Sequence, residues 1–477
     1  MSGAPLDAVV VGSGPNGLAA AIALAQAGAS VLVVEGHAEA GGGMRSAELT
    51  LPGFVHDVCS ACHPTGILSP FFRTLPLEQH GLRWVQPPVS VAHPLDDEPA
   101  VLLVRSLEET ARGLGIDERA YRRLFEPMVR VEGLIADLLA PLRLPRHPLA
   151  MLRFGLRAVR SATGFARGRF RGARARALFA GCAAHAMMPL DHALTAALGL
   201  VFCLTGHLTD WPYVAGGTAR LTRALVGVLE ATGGRVETGR WVRSLADLPP
   251  SRVVLFDTSP ANVAAIAEAA LPARYVRRLR RYRYGPGVFK IDWALDGPIP
   301  WRDPNVGRAA TVHLGGTLEE LAASEAAMWR GDHAERPYVL LCQQSLFDET
   351  RAPAGKHTAY AYCHVPGGST VDRTAAIEAQ VERFAPGFRD RILARHTMTA
   401  AQLSDYNPAW PGGAITGGVA DWRQLFTRPV ARLNPYTTPN PRLFLCSAST
   451  PPGGGVHGMC GYYAARAALR RLRKGRR

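Results

Sequence analysis

Apolar residues at the start of the chain form two short runs, separated by a glycine-rich turn and an alanine-rich segment. Residues 8–11 and 31–34 are rich in valine, which is typical of strands that are buried on both faces. Residues 18–27 between them are dense in strong helix formers, and Gly28 stands where such a helix would end. The order strand, turn, helix and strand predicts a βαβ unit.

The same pattern predicts further strands near the middle and the end of the chain. Strands are predicted over residues 235–242 and 251–256, after a helix that Gly233 ends. Another short strand, residues 443–446, precedes a glycine-rich loop and a helix that runs to Arg473. No acidic residue or strand follows this last helix, so the pattern predicts no second βαβ unit here.

The central part of the chain has a different pattern. Residues 76–104 alternate between apolar and polar with many prolines, which predicts short strands, and residues 107–144 have helical spacing. An arginine-rich amphipathic stretch, residues 146–176, is followed by residues 177–209, in which Asp191 is the single charge. We interpret the latter as buried helices that line an apolar pocket.

The first turn has the chemistry of a dinucleotide site. Gly12, Gly14 and Gly17 have G-x-G-x-x-G spacing, which allows a tight turn, a close approach of a pyrophosphate and close packing of helix on strand. Glu35, at the end of the second strand, is placed to accept a ribose hydroxyl. The residues expected to contact the nucleotide here are Gly12, Ser13, Gly14, Pro15, Asn16, Gly17 and Glu35.

A second glycine stretch, residues 41–46, follows the acid directly. It resembles the corresponding stretch of the large FAD-dependent family that includes amine oxidases and phytoene desaturases, and the resemblance therefore favours FAD over NAD. In that family these residues line the pyrophosphate and the flavin edge, and one later residue contacts adenine through its backbone. The matching positions in this chain are Gly42, Gly43, Met44, Arg45 and, for the adenine contact, Val242.

The C-terminal loop carries the most specific resemblance. Thr450, Pro452, Gly453, Gly455 and Gly458 match the Thr-x-Pro-Gly-x-Gly-x-x-Gly motif of the desaturases. With the earlier motifs, essentially the whole chain resembles the phytoene desaturase-like flavoproteins, and within them the subgroup named pyridine nucleotide-disulfide oxidoreductase domain-containing protein 2.

A glycine loop at a helix N-terminus binds anions and can stabilise negative charge on a reduced flavin. We expect its backbone N–H groups to lie at the pyrimidine edge. Ser447 and Ser449 stand where desaturases commonly have glycine, and His457 stands where they commonly have proline. The cofactor-binding residues predicted in this loop are Ser449, Gly455, Val456, His457, Gly458 and Met459.

The predicted fold class is α/β, with a Rossmann-like FAD-binding domain of the glutathione-reductase/amine-oxidase type and a discontinuous substrate domain of mixed sheet and helices. The FAD-binding domain is predicted to comprise residues 1–75, 212–262 and 430–477. The substrate domain is predicted to comprise residues 76–211 and 263–429, with a helical section at residues 107–210 that holds the arginine-rich and apolar stretches.

Composition limits the choice of partners and compartment. The net charge is +15, but no zinc-finger, RRM or KH pattern accompanies it, so no nucleic-acid partner is expected. Contact of the arginine-rich stretch with a membrane surface is an alternative to simple solvation. The eight cysteines lack regular spacing and no charged leader precedes the first strand, so a cytoplasmic location, with peripheral membrane contact as the alternative, is expected.

Four side chains are candidates for acid–base chemistry or flavin tuning, since histidine titrates near neutrality. They are His457, whose loop is tied to the cofactor, and His63, His185 and Lys290. The match of residues 59–63 to the C-x-x-C-H haem motif is interpreted as chance, no redox C-x-x-C is expected beside the FAD turn, and no metal ion is expected.

These features leave three interpretations of function. The first is an FAD-dependent oxidoreductase that desaturates an apolar small molecule by hydride transfer to flavin N5, with oxygen or a quinone as electron acceptor. The second is a redox-neutral isomerase that uses reduced FAD. The third is an FAD-bound regulatory or interaction protein without turnover.

Overall fold

The computed structural model describes residues 5–140 and 143–474. Two predictions extend outside the described residues. They are the helical range over residues 107–144 and the outermost domain limits at residues 1 and 477. The strands are β1 Leu6–Val11, β2 Val31–Val34, β3 Ser46–Glu48, β4 Val55–Asp57, β5 Trp84–Val85, β6 Val89–His93, β7 Val101–Leu103, β8 Tyr213–Val214, β9 Arg235–Glu237, β10 Ser251–Phe256, β11 Gly287–Leu295, β12 Ala309–Leu314, β13 Val339–Cys342, β14 His357–Val365, β15 Ile392–Met398 and β16 Leu443–Leu445.

The α-helices alternate with these strands at both ends of the chain and are concentrated in its first half. They are α1 Pro15–Ala25, α2 Pro64–Ile67, α3 Leu107–Gly113, α4 Glu118–Val129, α5 Leu134–Leu138, α6 Pro148–Ala158, α7 Ala162–Arg169, α8 Ala173–Ala184, α9 Thr195–Thr209, α10 Ala219–Ala231, α11 Pro260–Ile266, α12 Ala273–Arg280, α13 Leu318–Arg330, α14 Thr374–Phe384, α15 Ala400–Tyr406 and α16 Met459–Lys474.

A five-stranded parallel sheet has the order β16-β10-β1-β2-β9. Its central strand β1 lies between β2 and β10, with Val10 opposite Val33 and Leu255. The predicted βαβ unit, residues 8–34, is confirmed. Strand β9 is shorter than the predicted range 235–242, because the chain turns at Gly239, whose φ is +70°.

A seven-stranded mixed sheet has the order β15-β11-β14-β13-β12-β6-β7, in which the β12–β6 pair is parallel and the other pairs are antiparallel. The predicted α/β class with a mixed second sheet is confirmed. The strands of the first sheet lie in the segments predicted for FAD binding, and those of the second in the segments predicted for substrate binding. The exact domain limits stay a prediction.

The helical section, α3 to α9, packs on the second sheet and contributes many residues to the main hydrophobic core. Helices α8 and α9, which hold most of the nearly uncharged residues 177–209, pack against each other in its centre. Within the described part of the chain, no helix combines the length and the apolar content that a membrane span needs.

Helices α1 and α16 meet at their N-terminal ends with no side chain between them. A Cβ on Gly461 would lie far inside van der Waals contact with the carbonyl oxygen of Asn16. A Cβ on Gly458 would lie 2.8 Å from that of Ala19. The glycines of α16 and of the loop before it therefore bring the last helix of the chain directly onto the first.

We expect Gly461→Ala to lower the free energy of unfolding by more than about 2 kcal/mol, because α16 must move away from α1 to admit the methyl group. Urea unfolding followed by circular dichroism measures this change. The matched control is Gly113→Ala at the end of α3, where a Cβ meets nothing within 4 Å. The control should leave stability within about 1 kcal/mol of the wild type, and equal effects of the two substitutions would contradict the packing argument.

Candidate functional site

A cavity of about 580 Å³ runs from the carboxyl ends of β1, β2 and β10 to the second sheet. Ligands of open parallel sheets bind at this edge. Most predicted nucleotide contacts line the cavity, whereas Gly17, Met44, His457, Gly458 and Met459 lie behind its wall. The predicted residues that line it are Gly12, Ser13, Gly14, Pro15, Asn16, Glu35, Gly42, Gly43, Arg45, Val242, Ser449, Gly455 and Val456.

The first glycine turn is packed so tightly that side chains are excluded. A Cβ on Gly14 would lie 2.6 Å from Oδ2 of Asp257, and one on Gly42 would lie 2.9 Å from the Cα of Gly14. Asp257, which follows β10, accepts the backbone N–H of Gly17 at 2.7 Å. Burial raises the pKa of this carboxyl to about 7. The sequence analysis missed Asp257, because only the sheet order brings β10 beside β1.

The Glu35 carboxylate is held by donors from the protein itself. Its Oε2 accepts the N–H of Ser13 at 2.9 Å and the hydroxyl of Ser13 at 2.6 Å. Its Oε1 accepts the N–H of His37 at 2.8 Å and the guanidinium of Arg45 at 3.2 Å. These four donors fill the usual acceptor capacity of a carboxylate. A ribose hydroxyl would therefore have to replace one of them, such as the rotatable hydroxyl of Ser13.

Val242 lines the cavity, and the adenine contact that the resemblance implies for it stays a prediction. Its neighbour Trp241 packs its indole on the backbone of Gly36, and a Cβ on Gly36 would lie 2.5 Å from the ring. Trp241 is half exposed and also lines the cavity. Trp241 was not predicted from the sequence. The signal that could have found it is Gly36, directly after Glu35, because a residue without a side chain leaves room for a ring against its backbone.

The donors at this end fit the pyrophosphate of FAD. The backbone N–H groups of Gly14 and Asn16 make no hydrogen bond within residues 5–140 and 143–474. The residues around 447–449 and 455–456 continue the wall past the N-terminus of α16. A dinucleotide with a second ring system is therefore accommodated between two helix N-termini.

A buried cation supports the C-terminal loop from behind. The Arg428 guanidinium donates to the carbonyl oxygens of Ser449 at 3.2 Å, Ala448 at 3.2 Å and Gly417 at 3.0 Å. No carboxylate pairs with Arg428 among the described residues. Its positive charge thus lies beneath the loop that lines the cavity and adds to the helix N-terminus. The sequence contains no motif that would have singled out this arginine.

The structure places the His457 side chain away from the cavity. Its Nδ1 accepts the backbone N–H of Met459 at 3.0 Å, and a Cβ on Gly455 would lie 3.1 Å from the ring. Burial lowers the pKa of His457 to about 4, so the imidazole is neutral at pH 7. His457 therefore fixes the turn at which α16 begins, and its predicted catalytic or cofactor-binding role stays a prediction.

His63 is likewise buried behind the wall. The hydroxyl of Thr218 donates to the carbonyl of Ser60 at 2.7 Å, so it accepts from Nε2 of His63 at 3.1 Å. Burial lowers the pKa of His63 to about 4. This fixes one neutral tautomer. The ring does not line the cavity, and the predicted catalytic role of His63 stays a prediction.

His185 is the predicted histidine that lines the cavity. Its ring lies against Phe202, at 4.3 Å between centroids, and its Nε2 lies 3.1 Å from Nε2 of His313. Burial lowers the pKa of His185 to about 3, so it is a neutral donor or acceptor. Apart from His185 and Phe202, the block 177–209 packs in the core, which corrects the expectation that this block lines the pocket.

Lys290 lies one side chain behind the cavity. It forms a buried ion pair with Asp292, two residues along β11 on the same face, and its Nζ lies 4.8 Å from the ring centre of Tyr360. Burial alone would raise the pKa of Asp292, but the lysine and a hydrogen bond from His396 lower it overall. Lys290 therefore contacts Tyr360, which lines the cavity, and its predicted acid–base or flavin-tuning role stays a prediction.

Three cysteines line the cavity, which the sequence analysis did not expect. Cys59, Cys62 and Cys342 are all reduced. Burial raises the pKa of Cys59 to about 12 and that of Cys342 to about 11, and the pKa of Cys62 is also raised. These groups are therefore thiols at neutral pH, whereas disulfide exchange needs a thiolate.

The far end of the cavity carries no ionised side chain among the described residues. The charged groups that line it, Glu35, Arg45, Arg240, Arg243 and Asp257, all belong to the nucleotide end. Aromatic, aliphatic, hydroxyl, imidazole and thiol groups form the other end, and its main members are Cys59, Cys62, His185, Phe202, Trp211, Thr311, Leu340, Cys342, Tyr360, Tyr362 and Ile415.

Comparisons with known proteins agree with this geometry. Residues 10–75 match the family described as NAD(P)-binding Rossmann-like domain. Pyridine nucleotide-disulfide oxidoreductase domain-containing protein 2 of Rattus norvegicus is 28% identical, over 98% of this chain and 94% of that protein, and the Mus musculus protein matches equally. The chain is therefore similar to this protein over nearly its whole length. The predicted resemblance and the dinucleotide cofactor are thereby confirmed, and the cavity fits FAD.

Other similarities are shorter or more distant. One of the limonene dehydrogenase subunits of Castellaniella defragrans is 34% identical over 23% of this chain and 19% of that protein. An oxidoreductase from Methanosarcina mazei has a TM-score of 0.66 at 16% identity, covering 98% of this chain and all of that one. A putrescine oxidase has a TM-score of 0.62 at 18% identity, covering 98% and 99%. These structures confirm the predicted α/β fold class.

The pKa of Asp257 predicts how FAD binding depends on pH. The carboxyl is neutral below pH 7 and charged above it, and a pyrophosphate at the α1 N-terminus favours the neutral form. We therefore expect the affinity for FAD to fall as pH rises above 7, by at most about tenfold per pH unit, since one proton is linked to binding. Asp257→Asn, which can still accept from Gly17, should remove this fall.

Fluorescence titration of the apo-protein with FAD between about pH 6 and about pH 9 measures the dependence. The matched control is Asp405→Asn, which removes an exposed carboxylate next to the cavity-lining Tyr406. The control should follow the wild-type curve. Parallel pH profiles of Asp257→Asn and the wild type would contradict the assignment.

Proposed function

We propose that the protein is an FAD-dependent oxidoreductase that desaturates an uncharged, apolar small molecule by hydride transfer to flavin N5. The observation that carries this proposal is the separation of charge along the cavity. The nucleotide end holds all the charged lining groups among the described residues, and the opposite end is aromatic and uncharged. A substrate ammonium ion would find no carboxylate there, so an amine is disfavoured and an apolar molecule is favoured.

The residues of this chain would hold the cofactor and handle the proton. When bound, FAD supplies a two-electron acceptor at N5. The substrate would lose a hydride from an allylic carbon and a proton from the adjacent carbon, so that a C=C bond forms. His185 is the neutral base at the uncharged end of the cavity. As the hydride leaves, positive charge develops on the substrate, and the adjacent carbon then gives up its proton even to a weak base.

The α16 N-terminus and the buried Arg428 would stabilise the negative charge that arrives with the hydride. Oxygen or a quinone is proposed as the acceptor that reoxidises the cofactor. The partial similarity to a limonene dehydrogenase supports an apolar hydrocarbon substrate class. The neutral thiols of Cys59 and Cys62 argue against disulfide reduction as the activity.

Anaerobic mixing of the FAD-loaded protein with limonene or with putrescine tests the substrate class. We expect the oxidised-flavin absorbance to bleach with limonene or a related cyclic or acyclic alkene and to persist with putrescine. Bleaching by the diamine alone would contradict the proposal. If product forms only after prior reduction with dithionite, and without net bleaching, the proposed desaturase is replaced by the isomerase that uses reduced FAD.

The same assay tests the role of His185. His185→Gln should slow bleaching by about 10²-fold or more at unchanged FAD content, because a neutral amide cannot take the proton. The matched control is His63→Gln, which changes a buried histidine outside the cavity and should affect the rate little in protein that retains FAD. Equal rates for His185→Gln and the wild type would exclude the proton transfer to His185.

A further inference from the structure

One helix surface exposes a row of large apolar side chains. Leu149, Leu152, Leu156 and Val159 lie at spacings of three and four along α6 and its C-cap, which places them on one face. Each has 53–70% of its surface exposed. The opposite side of the helix buries Phe154 and Ala158 in the core. We call the exposed row the α6 ridge.

Arginines surround the α6 ridge without acidic neighbours in the sequence. Residues 138–190 contain no aspartate or glutamate, and their ten arginines are Arg143, Arg146, Arg153, Arg157, Arg160, Arg167, Arg169, Arg171, Arg174 and Arg176. Some of them pair with carboxylates from other segments, such as Arg167 with Glu319. Those nearest the ridge, which are Arg146, Arg153, Arg157 and Arg160, form no ion pair within the described part of the chain.

Arginine content alone does not produce this surface. Helix α12 is also strongly basic, with Arg274, Arg277, Arg278 and Arg280. It nevertheless buries its apolar face, which consists of Tyr275, Val276 and Leu279. An exposed apolar row flanked by unpaired arginines therefore distinguishes α6 from α12.

We propose that the α6 ridge docks on a bilayer that contains anionic lipids, with Leu149, Leu152, Leu156 and Val159 in the acyl boundary and the flanking arginines on lipid phosphates. Guanidinium groups bind phosphate oxygens in pairs, and basic residues beside an apolar helix face are the pattern of interfacial helices. A second copy of the chain is disfavoured as the occupant, because pairing two such faces would bring their unpaired arginines together.

The position of α6 connects this surface to the cavity. Helix α6 packs against α9, and α9 carries Phe202, which lines the uncharged end. Helix α9 in turn packs against α8, whose C-cap is His185. A docked α6 ridge would thus hold the substrate end close to the bilayer, and delivery of an apolar substrate from the lipid is an extension that rests on the proposed function.

Co-sedimentation of the full-length protein with vesicles tests the docking independently of any activity. Vesicles of phosphatidylcholine mixed with phosphatidylserine should pellet the wild-type protein, and vesicles of phosphatidylcholine alone should pellet much less. L152S/L156S and R153E/R157E should each weaken partitioning by about tenfold or more. Binding should also weaken as the salt concentration rises.

Two matched variants separate this surface from general effects of charge and hydrophobicity. Leu433→Ser changes a fully exposed leucine far from α6 in the sequence, and R277E/R278E makes the same charge change on α12. Both should pellet like the wild type. Failure of the wild-type protein to bind anionic vesicles, or equal losses in R277E/R278E, would overturn the proposal. If the wild-type protein sediments without vesicles and L152S/L156S abolishes this sedimentation, the partner of the α6 ridge is a second copy of the chain and not a bilayer.

Discussion

The contact between the N-terminal ends of α1 and α16 is the constraint on which the cavity depends. The two helices come from opposite ends of the chain, and glycine at position 461 lets α16 rest on the backbone of Asn16. Unused backbone donors and two positive helix ends therefore converge on one place. Asp257 closes the turn from the neighbouring strand, and Arg428 supports the second loop from behind. A bound dinucleotide would be held by this arrangement rather than by any single side chain.

A second feature of the structure is that charged side chains are kept away from the uncharged end of the cavity. Two ion pairs lie buried behind that wall, Arg351 with Asp57 and Lys290 with Asp292. Since each buried charge has a partner, they fix β4 and β11 in place without exposing a charge to the cavity. The histidine at the wall, His185, is kept neutral by burial. The cavity can therefore combine an anionic cofactor with an apolar substrate.

The sequence predicted those parts of the site whose chemistry is local. The first glycine turn, residues 12–17, and the following acid Glu35 signal their role through spacing alone, and residues 12–16 and Glu35 line the cavity. The roles of the histidines depend on partners that spacing does not reveal. His63, for example, is fixed by Thr218, which lies 155 residues further along the chain. Asp257 and Arg428 were missed for the same reason, because sheet order and loop packing bring them to the site.

The presence of FAD is best tested by absorbance spectroscopy of the purified protein, followed by identification of the nucleotide released on denaturation. We expect a bound flavin spectrum and the release of FAD, close to one per chain, from the wild-type protein or from apo-protein incubated with FAD. Release of FMN, or a colourless protein that takes up no added FAD, would contradict the assignment of the two helix N-termini as an FAD site.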